Sequence, residues 1–259
     1  RIDYVWPLIT ERIRVIPAYV ERFVAAYDDV DGAADITIVH VANALGDFVI
    51  SEWRSFDTPF DRYLAGEEAA LDAQARAGME LFYGRGGCSD CHSGALFTDQ
   101  EFYGLALPQF GPGRTRMFDL MVRDVGRMVE TDRLEDAYRF RTPALRNVAK
   151  TAPDGHNGAY ADLEGIIRHH LDPQTAFDQW TRDRVALPGN DRLAAVDFAA
   201  MEDRRERARV RNAVDIKPLP LSDDDVQQLV AFLHALTGEK SVSGRLGRPD
   251  RVPSGLPVD

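Results

Sequence analysis

Cys88 and Cys91 are the two cysteines in this 259-residue sequence, and His92 follows them directly. C-x-x-C-H is the spacing at which a c-type haem is attached covalently. Two thiols one helical turn apart reach the two vinyl groups along one porphyrin edge and form thioethers, while the adjacent imidazole rises beneath the iron. His92 is then the proximal ligand, and such a ligand holds its second ring nitrogen against a carbonyl or similar acceptor. Other chemistries compete for the same residues. Zinc wants four ligands, and adjacent Cys91 and His92 chelate a tetrahedral ion awkwardly. A thioredoxin-like C-x-x-C wants a βαβ setting, which helical surroundings deny. A chance match is rare in a chain with 2 Cys and 6 His. One covalent haem c is expected, and because thioethers are made outside the cytoplasm, so is a periplasmic or equivalent location.

The behaviour of such an iron turns on its other face: a second protein ligand makes an electron carrier, whereas an open position binds peroxide or oxygen. On the helix expected from Leu163 to Leu171, Leu163, Ile166, Ile167 and Leu171 define an apolar face with His170 near its middle and His169 at its polar margin. A haem is a large apolar plate, so its ligand should emerge from such a face, which favours His170 over the alternative of a hydrogen-bonded core histidine. His40 and His234 read as packing or surface residues. His156, in the turn Asp154-Gly155-His156-Asn157-Gly158, could meet the haem edge or propionates without reaching iron.

The elements around these residues are mainly helical. Apolar residues from Ile9 to Val24 repeat every three or four positions, with an interruption near Pro17. A second helix, capped by Asp35, carries Ile38, Val41, Leu45, Phe48, Val49 and Trp53. A third, through Leu71, Ala75, Gly78, Met79 and Phe82, ends at the glycines before Cys88. From Ser93 to Pro153 long packed loops are expected, with weak periodicity only around Leu120 to Met128. Ser222, with Asp225 three residues on, opens the last helix and Gly238 closes it. The polar stretch from Pro173 to Pro220 reads as an insert. The fold class is thus mainly α, a cytochrome c-like haem domain with long irregular loops. A helical segment is expected over 1–54 and the haem domain over 55–259.

Composition sets the outer bounds. With 44% hydrophobic and 28% charged residues, the chain is neither disordered nor a disulfide scaffold. A net charge of -11 removes phosphate neutralisation as a driving force, so nucleic acid is not an expected partner, while a basic soluble protein is an acceptable one. The most apolar stretch, Val39 to Ile50, is broken by Gly46 and Asp47, and no membrane span is expected. The sequence starts at Arg1 without a leader pattern, as after processing or as a piece of something longer.

Five segments resemble the second, C-terminal haem domain of the bacterial di-haem cytochrome c peroxidases and their MauG-like relatives. They are SFDTPFDRYLAG (55–66), GMELFYGRGGCSDCHSGALFT (78–98), FRTPALRNVAKTAPDGHNG (140–158), LEGIIRHH (163–170) and LSDDDVQQLVAFLHALTG (221–238). The resemblance implies that the helix after the HNG turn supplies the distal ligand, a Met or Tyr in the family and His170 here. A bis-histidine iron would sit at a lower potential than a His/Met one. It further implies a calcium ion held partly by main-chain oxygens of Thr151 and Pro153. Arg141 and Arg146 would suit haem propionates, or surface pairing. The family's first haem domain has no counterpart in these segments, and Arg1 to Phe23 resembles the stretch that follows it. The implied function is electron transfer to a second, peroxide-reactive haem on another segment or chain, fed by a small donor such as a cytochrome c or cupredoxin. The alternative is a mono-haem carrier or cytochrome subunit without peroxidase activity. Trp53 or Trp180 could relay electrons, or simply pack.

Overall fold

A computed structural model describes residues 2–111, 121–185 and 190–258. Leu120, with which the weak periodicity begins, and part of the 173–220 stretch lie outside them. The α-helices are α1 Ile2–Arg14, α2 Pro17–Ala26, α3 Ile38–Trp53, α4 Pro59–Leu64, α5 Ala73–Tyr83, α6 Met128–Thr131, α7 Leu163–Leu171, α8 Pro173–Gln179, α9 Ala199–Glu202, α10 Arg204–Asn212, α11 Asp223–His234 and α12 Glu239–Ser243. Strands β1 Phe102–Gly104 and β2 Arg139–Arg141 pair antiparallel, with Tyr103 opposite Phe140. The mainly α reading of the sequence is correct. The small sheet falls in the stretch expected to be loop, since three-residue strands leave no period to detect.

The chain divides into two compact units, Arg1–Phe56 with Glu239–Asp259, and Asp57–Gly238. Residues 239–259 group with the N-terminal helices; the sequence reading placed them with 55–238. In the first unit Val30, Ile36 and Val41 form a small core against Ile13, Val20 and Phe23. The buried Glu52 carboxylate on α3 accepts the Leu246 amide at 2.8 Å, and Arg245 donates to the Ser51 carbonyl at 2.9 Å. Asp35 does not cap α3. Its carboxylate accepts the Gly32 amide at 3.0 Å within the preceding turn, and His40 Nδ1 instead accepts the Thr37 amide at 3.0 Å at the helix start.

The second unit has two cores. In one, α5 crosses α11, and Phe60, Leu71, Phe82, Phe97, Leu229, Phe232 and Leu236 pack between and around them. Asp72 caps α5, accepting the Ala75 amide at 2.8 Å. Ser222 and Asp225 cap α11 reciprocally, as the sequence pattern indicates, with Ser222 N–H to Asp225 at 2.9 Å and Asp225 N–H to Ser222 at 3.2 Å. The other core joins Phe110, Val125, Tyr138 and Tyr160 to Phe177, Trp180, Met201 and Val210. The last four belong to the stretch read as a polar insert. Its helices α8, α9 and α10 each bury one or two large apolar residues, too few for a helical period to show, and α10 also buries Glu206, which accepts from Arg123 at 2.8 Å.

Candidate haem site

Helix α5 delivers the chain to Gly84, and Gly87 turns it in the left-handed region at φ 63°, a conformation that carries no side-chain penalty in glycine. A 3₁₀ turn over Cys88–Asp90 follows, and the His92 amide donates to the Cys88 carbonyl at 2.9 Å. Both thiols and the imidazole are thus carried on one turn of backbone. Both cysteines are free and half-buried. Burial pushes the Cys88 thiol up to about 11 and raises Cys91 as well, so both are protonated at neutral pH. Among the described residues no group of three or more His, Cys, Asp or Glu is arranged to hold a metal ion.

The His92 ring is fixed by Nδ1–H donating to the Phe97 carbonyl at 3.0 Å. The Pro143 backbone is a second hydrogen-bond partner of the ring. Phe97 makes the contact from the left-handed region, φ 57°, an uncommon place for a bulky residue. Its side chain is 1% exposed and its ring lies 5.7 Å from Phe60, 6.0 Å from Phe82 and 6.4 Å from Phe232. Burial of the ring holds the strained backbone that aims the carbonyl.

On α7, capped by Asp162 through the Gly165 amide at 2.8 Å, His170 donates Nδ1–H to the Ile166 carbonyl at 2.8 Å, one turn back. Its Nε2 has no hydrogen-bond partner among the described residues. His169 is different. It is fully buried, with Nε2 on the Leu105 carbonyl and Nδ1 on the Tyr160 hydroxyl, each at 2.6 Å. The sequence reading placed His169 at the polar margin. The error arose because its partners are polar groups from distant segments, which a helical wheel cannot register. With both nitrogens occupied, His169 has no lone pair to offer. Burial lowers the pKa of both His92 and His170, and the His170 ring lies near enough to disfavour the charged form of His92 further. At neutral pH both rings are therefore in the neutral state that ligates metals.

The remaining candidates lie as follows. His156 is exposed, donates Nε2–H to Asp124 at 2.8 Å and stacks on Phe140 with centroids 3.7 Å apart. Arg141 is exposed and donates to Gln100 at 2.7 Å. Arg146 is bound to the protein itself: its fork meets both Asp61 oxygens at 2.8 and 2.9 Å, and Nε donates to the Ala95 carbonyl at 2.6 Å. Asp61 had no part in the sequence reading; it also accepts the Thr58 amide at 3.0 Å at the start of α4. Thr151 and Pro153 are exposed. Trp180 is buried, donates to the Ala159 carbonyl at 3.0 Å and stacks on Phe110, whereas Trp53 is 54% exposed in the N-terminal unit.

A sequence model of the family described as di-haem cytochrome c peroxidase matches residues 4–69. The cytochrome-c peroxidase IdrP1 of Denitromonas iodatirespirans is 32% identical over 253 residues, which cover 89% of this chain and 57% of that protein. The methylamine utilization protein MauG of Methylorubrum extorquens is 28% identical over 232 residues, 90% of this chain and 53% of MauG. The chain is similar to the di-haem cytochrome c peroxidase and MauG family. It spans about half the length of the curated relatives it matches. The crystal structure of a MauG-like protein associated with microbial copper homeostasis superposes with a TM-score of 0.64 at 24% identity, over 92% of this chain and 63% of that one, which is a likeness of fold. Haem c is the cofactor class that similarity to this di-haem family implies, and the donor set fits it: two thiols on one turn, and two imidazoles whose Nδ1–H groups are held by backbone carbonyls. Among the described residues no helix is long and apolar enough to cross a membrane.

Proposed function

We propose that this chain is the electron-transfer haem domain of a di-haem peroxidase-type oxidoreductase, corresponding to the C-terminal domain of its relatives. One haem c would be held by thioethers to Cys88 and Cys91 and by axial His92 and His170, and it supplies one-electron redox chemistry. The observation that carries this reading is the matched state of the two imidazoles, each with Nδ1–H donated to a backbone carbonyl at 3.0 or 2.8 Å. A donated Nδ1–H fixes the tautomer, orients the ring and raises the basicity of Nε2.

With imidazole on both faces, no coordination position would be left for peroxide, so peroxide chemistry would belong to a second haem on another segment or chain. Phe97, whose carbonyl holds His92, packs in the buried cluster of Phe60, Phe82 and Phe232, and burial keeps the His92 and His170 rings neutral. Thioethers are made outside the cytoplasm, so this reading carries with it a periplasmic location and a small cytochrome c or cupredoxin as donor. A calcium ion on the main-chain oxygens of Thr151 and Pro153 belongs to the same reading. The test is His170→Ala in the purified haem-loaded protein. The ferric spectrum is expected to pass from low-spin to high-spin and to gain cyanide binding. A variant that stays low-spin overturns the distal assignment.

A further inference from the structure

The two histidines at the end of α7 are adjacent in sequence and opposite in chemistry. Their rings lie 6.4 Å apart at 82°. A carbonyl only accepts, so His169 must carry its proton on Nε2 and donate it to Leu105. Nδ1 is then a bare acceptor, and the Tyr160 hydroxyl must donate to it. The Tyr160–His169–Leu105 chain has one consistent set of proton positions, at 2.6 Å for each bond. Tyr160 also packs directly on α7, since a Cβ built on Gly165 would stand 2.9 Å from its ring. One residue therefore grips the helix at two points one turn apart, while Leu105, just past β1, holds the far side of His169.

We infer that His169 is a positioning residue for the distal ligand: by tying α7 to Leu105 and Tyr160 it fixes the rotation of the helix and so the direction in which His170 projects. The inference rests on the reading of His170 as an axial ligand. Consecutive helical residues point about 100° apart, so clamping one sets the azimuth of the next. The Ile166 carbonyl fixes the twist of the His170 ring within the helix, but it cannot fix the helix itself. That requires an anchor outside α7, and His169 is fully buried and joined to two segments at once.

The experiment uses the purified haem-loaded protein and reads ferric spin state and cyanide affinity. In His169→Phe, ring volume is kept and both bonds are lost, and a mixed high-spin population is expected that added imidazole returns to low-spin. His169→Gln, which keeps a donor for Leu105, should restore most of the low-spin signal. Tyr160→Phe removes one bond with little change in shape, and cyanide affinity should rise about three- to tenfold, as expected for one net hydrogen bond. Should His169→Phe fail to fold, Tyr160→Phe and His169→Gln decide. The inference is overturned if these variants remain fully low-spin with unchanged cyanide affinity while His170→Ala turns high-spin. If His170→Ala itself stays low-spin, the distal assignment has failed and the inference falls with it.

Discussion

Gly78 on α5 faces α11 so closely that an added Cβ would stand 1.9 Å from the Gln228 carbonyl oxygen, 2.5 Å from its carbon and 2.9 Å from Phe232 Cβ. In Gly78→Ala the helices must separate by roughly 1 Å before even a tight contact is reached. The obstacle is backbone, so no side chain can swing aside. A gap of that size forfeits about a quarter to a half of each dispersion contact it opens, and overpacking of this kind costs about 3 kcal/mol. Alanine's helix propensity returns about 1 kcal/mol. The net is a loss of about 2 kcal/mol, or about 4–8 °C in midpoint for a unit of this size. Gly46 on α3 is the control, because nothing lies within 4 Å of its added Cβ. Gly46→Ala should gain about 0.5–1 kcal/mol. Thermal and urea unfolding of the haem-loaded protein, followed by far-ultraviolet circular dichroism, compares the two. If Gly78→Ala matches or exceeds the parent in stability, the close crossing of α5 and α11 is wrong.

Two further outcomes follow from the ionisable groups. Arg146→Ala should cost about 2 kcal/mol, between the range for exposed and for buried pairs, because it strands the Asp61 carboxylate. Burial alone would raise Asp61, but hydrogen bonds from Arg146 and Thr58 outweigh it and hold the pKa below the usual 3.8. The contribution is therefore complete above the ordinary carboxylate range and is lost as pH falls through the lowered value, so the difference between parent and variant in urea midpoint should shrink below about pH 4. A difference that grows on acidification would contradict the pairing. His169 is pushed down to about 4 from 6.5 by burial. The unfolded chain takes up that proton first, so stability should decline as pH falls from about 6.5 to about 4, by up to about 3 kcal/mol. His169→Gln should remove that part of the acid sensitivity, and an unchanged pH profile would show that the ring is not buried neutral.

Legibility from sequence followed the range of the interactions. Cys88, Cys91 and His92 act within five residues, and the caps at Ser222 and Asp225 within four, so their chemistry is written locally. Helices α5 and α11 showed their apolar period because each lies against one core, and α7 because it faces two, whereas on α3 the periodic residues Leu45, Phe48, Val49 and Trp53 are exposed. Asp61 and Arg146 are 85 positions apart, and no local pattern announces such a pair. Leu105 acts on His169 through a carbonyl, which every residue possesses, so its identity carries no signal. The 173–220 stretch looked featureless because its burial is sparse, with one or two large apolar side chains per short helix.

Phe97 joins two roles that are separate in most residues. Its carbonyl steers the His92 ring, and its own ring is wedged among three other aromatics. The stiffness of the His92 imidazole is therefore borrowed from the aromatic packing rather than from the loop that bears it. A one-methylene change at Phe60 or Phe232 would travel through the Phe97 backbone to the tilt of that ring. Volume in this cluster is in effect a tuning screw on the direction in which His92 points.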